Sequence, residues 1–84
     1  MNNVIMRKLT ITAVYQPIVA TRTVGSVVIS CPPTNVGVVN FLGDDGNDIP
    51  WRPGEWHNFV AVDLSQIKVK GTAGDLVTVV GGTW

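Results

Sequence analysis

The chain carries little charge. Asp, Glu, Lys and Arg make up 14% of it, against a share of roughly 25% in ordinary soluble domains. Six basic residues balance six acidic ones, and no basic run is longer than the Arg7-Lys8 pair. This excludes the electrostatic footprint by which proteins hold nucleic acid or an anionic membrane surface. Cysteine is nearly absent too: Cys31 stands alone, so no internal disulfide forms. A disulfide-stapled secreted scaffold is excluded, while the redox compartment stays open. Long apolar runs are missing, and nothing approaches the roughly 20 residues of a membrane span. The short apolar start is broken by Arg7-Lys8 and then by alternating threonines, so no signal peptide is read. No segment keeps a helical period.

What is present is β-forming residues and turn-formers. The 84 residues make one domain, because a chain this short has no room for a second core. A domain of this size buries only a little over ~60% of the surface its unfolded form exposes, so its core alone gives a thin stability margin. Apolar residues make up 45% of the sequence. An apolar-rich, weakly charged surface suits protein–protein contact, because charged residues are depleted from interface cores. The plainer alternative is a small low-charge β-domain.

Period-two alternation marks the strands. From Met6 to Tyr15, residues Leu9, Ile11, Ala13 and Tyr15 share one face, and Lys8, Thr10, Thr12 and Val14 the other. Pro17 interrupts the pattern, since proline cannot donate to a ladder and keeps to sheet edges. Ile18–Thr21 is expected as a short edge strand. Val24–Ser30 follows, with Gly25 at a bulge or bend and Val27 and Ile29 pointing inward. Cys31-Pro32-Pro33 ends that strand and Thr34-Asn35 turns the chain. Val36–Leu42 is nearly all apolar and is expected to be covered on both faces. A run of turn-formers follows, Gly43 to Asp48, and then an extended crossing through Pro50-Trp51-Arg52-Pro53-Gly54. In Glu55–Val62, Trp56, Asn58 and Val60 fall on one face and His57, Phe59 and Ala61 on the other. A corner at Asp63-Leu64-Ser65 leads into Gln66–Lys70, with Ile67 and Val69 inward. After the turn Gly71–Asp75, Leu76–Val80 closes the domain before a Gly81-Gly82-Thr83-Trp84 tail. Six to eight short antiparallel strands at spacings of about 8–12 residues predict an all-β fold: a compact jelly-roll-like β-sandwich or a small barrel.

Few residues offer chemistry. Asp44, Asp45, Asn47 and Asp48 crowd oxygens into one loop, but the EF-hand order needs ligands at loop positions 1, 3 and 5 and a glutamate at 12, which this spacing does not supply. A solvated turn is the expectation. His57 is the only histidine. It lacks a nucleophile partner, and Glu55 is a weak orienting group. A catalytic zinc site takes three protein ligands, which one histidine and one cysteine do not make. No catalytic residue, metal or cofactor is therefore expected, and Cys31 reads as a small buried residue. The three tryptophans remain as candidate partner-contact residues. Trp51 and Trp56 either fill the core or face a partner or a sugar. Trp84, after two glycines, is expected to dock on a neighbouring subunit.

The series PPTNVGVVNF, GDDG, IPWRPGE and VDLSQIKVKGTAGDLVTVV resembles a pattern of small tailed-bacteriophage virion proteins, of the head decoration, cement or head-fibre type: PTNxG, a glycine-rich turn, PxxPGE, then VDLSxIxVKGTAGDxV. The likeness covers Pro32 to Val80 and leaves the first strands unmatched. It implies a jelly-roll-like domain on the outer surface of a phage head, made in the host bacterial cytoplasm, binding the major capsid protein and itself. A trimer at a capsid three-fold position is the first expectation and a dimer the second. Rigid, proline-fixed loops would cost little ordering entropy on binding. Two other classes stay in view: a carbohydrate- or receptor-binding module of a virion appendage, with Trp51 and Trp56 as a sugar platform, and a cupin-type enzyme, which the missing ligands disfavour.

Overall fold

The computed structural model describes residues 3–83. Two four-stranded antiparallel sheets pack as a sandwich. Eight strands run in the order β1 (Asn3–Thr10), β2 (Gln16–Pro17), β3 (Val24–Ser30), β4 (Val39–Leu42), β5 (Ile49–Trp51), β6 (Trp56–Asp63), β7 (Lys68–Lys70) and β8 (Leu76–Thr83). The first sheet is ordered β1-β8-β3-β6 and the second β2-β7-β4-β5, a jelly-roll-like arrangement in which consecutive strands alternate between layers except for the β4–β5 hairpin, which stays within the second sheet. Among the described residues a single 3₁₀ turn, Leu64–Gln66, breaks the strand run; Asp63 caps it by accepting from the Ser65 amide.

The core fills from the inward faces of both layers. Ile5, Val27, Ile29, Val77 and Val79 come from the first sheet, and Val39, Phe41, Trp51 and Val69 from the second. Ile11, Ile18, Val19, Cys31 and Leu64 close the ends from connecting segments. An aromatic stack ties the layers together. Phe41 and Trp51 stack at 3.7 Å between ring centroids, Trp51 meets His57 edge-on at 4.6 Å, and Phe59 lies 6.3 Å away.

The β3–β6 ladder slips between Gly25 and Val27. The bulge falls where Gly25 predicts it, but the extra residue lies on β6, where Ala61 adopts a φ of +52° and its amide donates to Ser26 Oγ at 3.0 Å.

Several expectations are corrected. The strand expected over Met6–Tyr15 starts and ends earlier, because the chain leaves the ladder after Thr10. Ile11 still enters the core, through its amide bond to the Asp75 carbonyl at 2.7 Å. Ile18–Thr21 is not a strand: Ile18 and Val19 are buried in a bend, and the short edge strand is Gln16–Pro17. Val36–Leu42 is not covered on both faces. Pairing begins only at Val39, and Val36 is 86% exposed, since its amide is held by a side chain and not by a neighbouring strand. Residues Gly81 to Thr83, expected as a loose tail, are the last three of β8 and pair with both β1 and β3.

Candidate functional site: an apolar sheet face

Alternation along the first sheet sends one set of side chains into the core and the other outward. Ladder register then aligns the outward set into rows. Met6 lies opposite Val80, Val80 opposite Val28, and Val28 opposite Asn58. The next row runs Lys8, Thr78, Ser30 and Trp56, with the Ser30 and Thr78 hydroxyls hydrogen-bonded across the strands. Towards the other end, Val4 pairs with Gly82, and Val60 emerges beside the bulge. Val4, Met6, Val28, Trp56, Val60 and Val80 are all exposed; Met6 stands at 73% and Val60 at 76%. Among these three rows Lys8 is the one charged side chain.

Between β3 and β6 the face sinks into an open depression lined by Val28, Asn58, Val60, Val80 and Gly81. Gly81 lets β8 lie close against β3 beside this hollow. A Cβ there would run into the Ser26 carbonyl oxygen and lie 2.7 Å from Val27 Cα. Large exposed apolar patches on small soluble domains mark contact surfaces.

The loops at the ends of the sandwich are locked by side chains. The Asn35 side-chain amide donates to the Leu76 carbonyl and its oxygen accepts from the Leu76 amide, both at 2.8 Å. Buried Asp75 accepts from the amides of Val36 and Gly37, one on each carboxylate oxygen, both at 2.9 Å. A Cβ on Gly37 would come 2.5 Å from Thr72 Oγ1, so the glycine admits this close approach. The proline-rich crossing is held as firmly: Cys31 donates to the Glu55 carbonyl and accepts from the Gly54 amide, both at 2.8 Å. At the 3₁₀ corner, Asp63 Oδ1 takes bonds from the Thr23 amide and from the Ser65 amide and hydroxyl. Those donors hold the Asp63 carboxyl below its ordinary range, the Ser65 hydroxyl most of all, with Arg22 a lesser cause.

The tryptophans separate. Trp51 is a core residue, 4% exposed, and is corrected as a partner contact: its ring is buried at the end of β5 and completes the aromatic stack. Trp56 is 59% exposed on the outward face. The two exposed rings that a sugar platform requires are therefore not both present. Trp84 lies outside the described residues.

The remaining candidates are structural in their contacts. In the acidic turn, Asp45 accepts from the amide and side chain of Asn47, and Asp48 accepts from the Tyr15 hydroxyl, whose ring lies under Lys70 Nζ at 4.6 Å. Among the described residues, no three acidic, histidine or cysteine side chains converge as a metal site. His57 Nε2 lies 2.7 Å from Glu55 Oε2 at an exposed position; the His57 hydrogen bond is the leading cause that holds the Glu55 carboxyl down. Burial pushes the Cys31 thiol up to about 11.

Sequence reasoning on single candidates missed Val4, Met6, Val28 and Val80. A signal was there: Val27-Val28 and Val79-Val80 are apolar doublets within strands, and period-two geometry sends one member of each doublet to either face. No protein-family model, curated protein or solved structure matches this chain.

Proposed function

We propose that the chain is a bacteriophage virion structural protein, a decoration or cement protein that binds the outer head surface and bridges capsid subunits, and that it has no catalytic role. The observation that carries this reading is the outward face of the β1-β8-β3-β6 sheet, with exposed Val4, Met6, Val28, Trp56, Val60 and Val80 and a single lysine. Such a face loses little by desolvation on docking and gains from apolar burial, at about 25 cal/mol per Å² removed from water. The resemblance supplies the virion setting. Its pieces are coherent in this fold: the PTNxG and AGD segments meet through Asn35, Leu76 and Asp75, and PxxPGE is bonded to Cys31. Residues so placed set the loops, which is the part such a pattern would play in a rigid binding domain.

The test is co-sedimentation of the purified protein with emptied, expanded phage heads stripped of accessory proteins. Saturable binding at a fixed number of copies per head is expected. Absence of the chain from purified particles, together with no binding to heads, would reject the proposal.

A further inference from the structure

Four strand edges bound the two sheets, those of β1, β6, β2 and β5. Three are blunted in ways that natural sheets use against edge-to-edge pairing. The β2 edge is two residues long and contains Pro17; the β5 edge is three residues long and contains Pro50. The β6 edge is broken by the bulge at Ala61. The β1 edge differs: Asn3–Thr10 is eight residues long, has no proline, and keeps an unbroken register with β8. Among the described residues β1 pairs with no strand besides β8. It is blunted only near one end, by the Arg7-Lys8 pair and by the Gln16 side chain on Thr10.

We propose that β1 pairs antiparallel with β1 of a second copy of this chain, about a two-fold axis at Met6, joining two four-stranded sheets into one continuous eight-stranded sheet. The charges select this register. With the outward faces of both copies on the same side, a two-fold must pass through a residue position. Centred on Met6, the pairing spans Asn3 to Leu9 and sets Arg7 opposite the partner's Ile5 and Lys8 opposite the partner's Val4. Centred on Arg7 or Lys8, it sets like charges face to face, which destabilises a ladder. Centred on Ile5, it spans only Asn3 to Arg7 among the described residues. Thr10 falls outside the chosen span, and its carbonyl is already taken by the Gln16 side chain at 2.9 Å.

A second copy also suits the edge better than a heterologous contact. Joining β1 of one copy to β6 of the next would need the bulged edge and would build an open array, whereas a self-complementary edge closes on itself. The apolar faces of the two copies then form one surface. The pairing stands on the strand edges alone and does not depend on the virion reading.

The test is analytical ultracentrifugation over low to high micromolar concentration, on wild type and Met6→Lys, with oxidative cross-linking of Met6→Cys and Val4→Cys. Met6 and Val4 are exposed, so the variants leave the monomer fold intact, and circular dichroism checks this. The expected result is a monomer–dimer equilibrium that Met6→Lys weakens about tenfold or more by placing two cations in a directly opposed pair. Met6→Cys should form a reducible dimer, because opposed Cβ atoms approach to about 5 Å. Val4→Cys should not, because its symmetry mate lies four residues along the strand, about 14 Å away. A monomer at every concentration, a trimer, equal cross-linking at both positions or none at Met6→Cys would each overturn the proposal.

Discussion

Asn35 and Leu76, far apart in sequence, exchange two hydrogen bonds of 2.8 Å, the side chain of one satisfying both backbone groups of the other. The contact substitutes for a ladder pair at the point where β8 begins. It anchors the loop before β4 to the strand that sits at the middle of the first sheet. Replacing Asn35 with alanine strands the amide and carbonyl of Leu76, at about 1–3 kcal/mol for each unsatisfied group. Asn35→Ala is expected to lower the unfolding free energy by roughly 2–6 kcal/mol in urea titrations. Val36→Ala next to it, at an exposed side chain, should change it by less than about 0.5 kcal/mol.

Gly81 and Gly43 give a paired test of the sheet interior. Gly81 lies against the β3 backbone, with no space for a Cβ, while a Cβ on Gly43 would meet nothing within 4 Å. Gly81→Ala is expected to destabilise by about 3 kcal/mol, the upper end of ordinary overpacking, because the obstructing atoms are backbone. Gly43→Ala should be close to neutral. Thermal unfolding of both variants separates a paired strand end from a loose tail.

The division between Trp51 and Trp56 predicts opposite phenotypes. Trp51→Ala removes the centre of the aromatic stack and should cost about 3–5 kcal/mol, a large part of the stability of so small a domain. Trp56→Ala should leave the melting temperature nearly unchanged and weaken binding to heads. Calorimetry and co-sedimentation on the same preparations read both effects.

Alkaline pH should loosen the fold. The Cys31 thiol is raised from 9.0 to about 11 by burial first, with Glu55 and Asp75 adding to it. The Tyr15 phenol is raised from 10.0 to about 12, mainly by its hydrogen bond to Asp48. A raised folded-state value means that the unfolded chain releases its proton first as pH rises. The contribution is therefore whole below the unfolded value and disappears as pH climbs through the folded one. Urea midpoints should fall from about pH 9 towards pH 11, and Cys31→Ala should flatten the first part of that fall. A midpoint constant across this range would contradict the assignment.

Strand positions were legible wherever alternation was uninterrupted: Val24–Ser30 matches β3, and the inward pair Val27 and Ile29 is buried. Boundaries failed where a side chain took the place of a ladder. Val36 is apolar and looks like strand, yet Asp75 holds its amide, and that partner is 39 residues away. Gly81-Gly82 looked like a tail because glycine weakens a strand, whereas here the absent side chain of Gly81 lets β8 lie close to β3. The orientation of Trp51 was illegible for another reason, since stacking on Phe41 depends on the register in which β4 and β5 pair across the turn between them. The apolar outer face was written in the valine doublets, but its continuity comes from register across four strands, which local pattern does not contain.

On the proposed reading, the outward face of the first sheet holds this protein to the head. The most direct test is the number of copies retained per head after sedimentation of wild type and Val60→Lys at matched concentration. Val60 is exposed and lies beside the depression, so the lysine should leave the melting temperature within experimental error. Wild type should saturate at a fixed copy number, while Val60→Lys falls well below it. Equal retention of a folded Val60→Lys variant would contradict the claim.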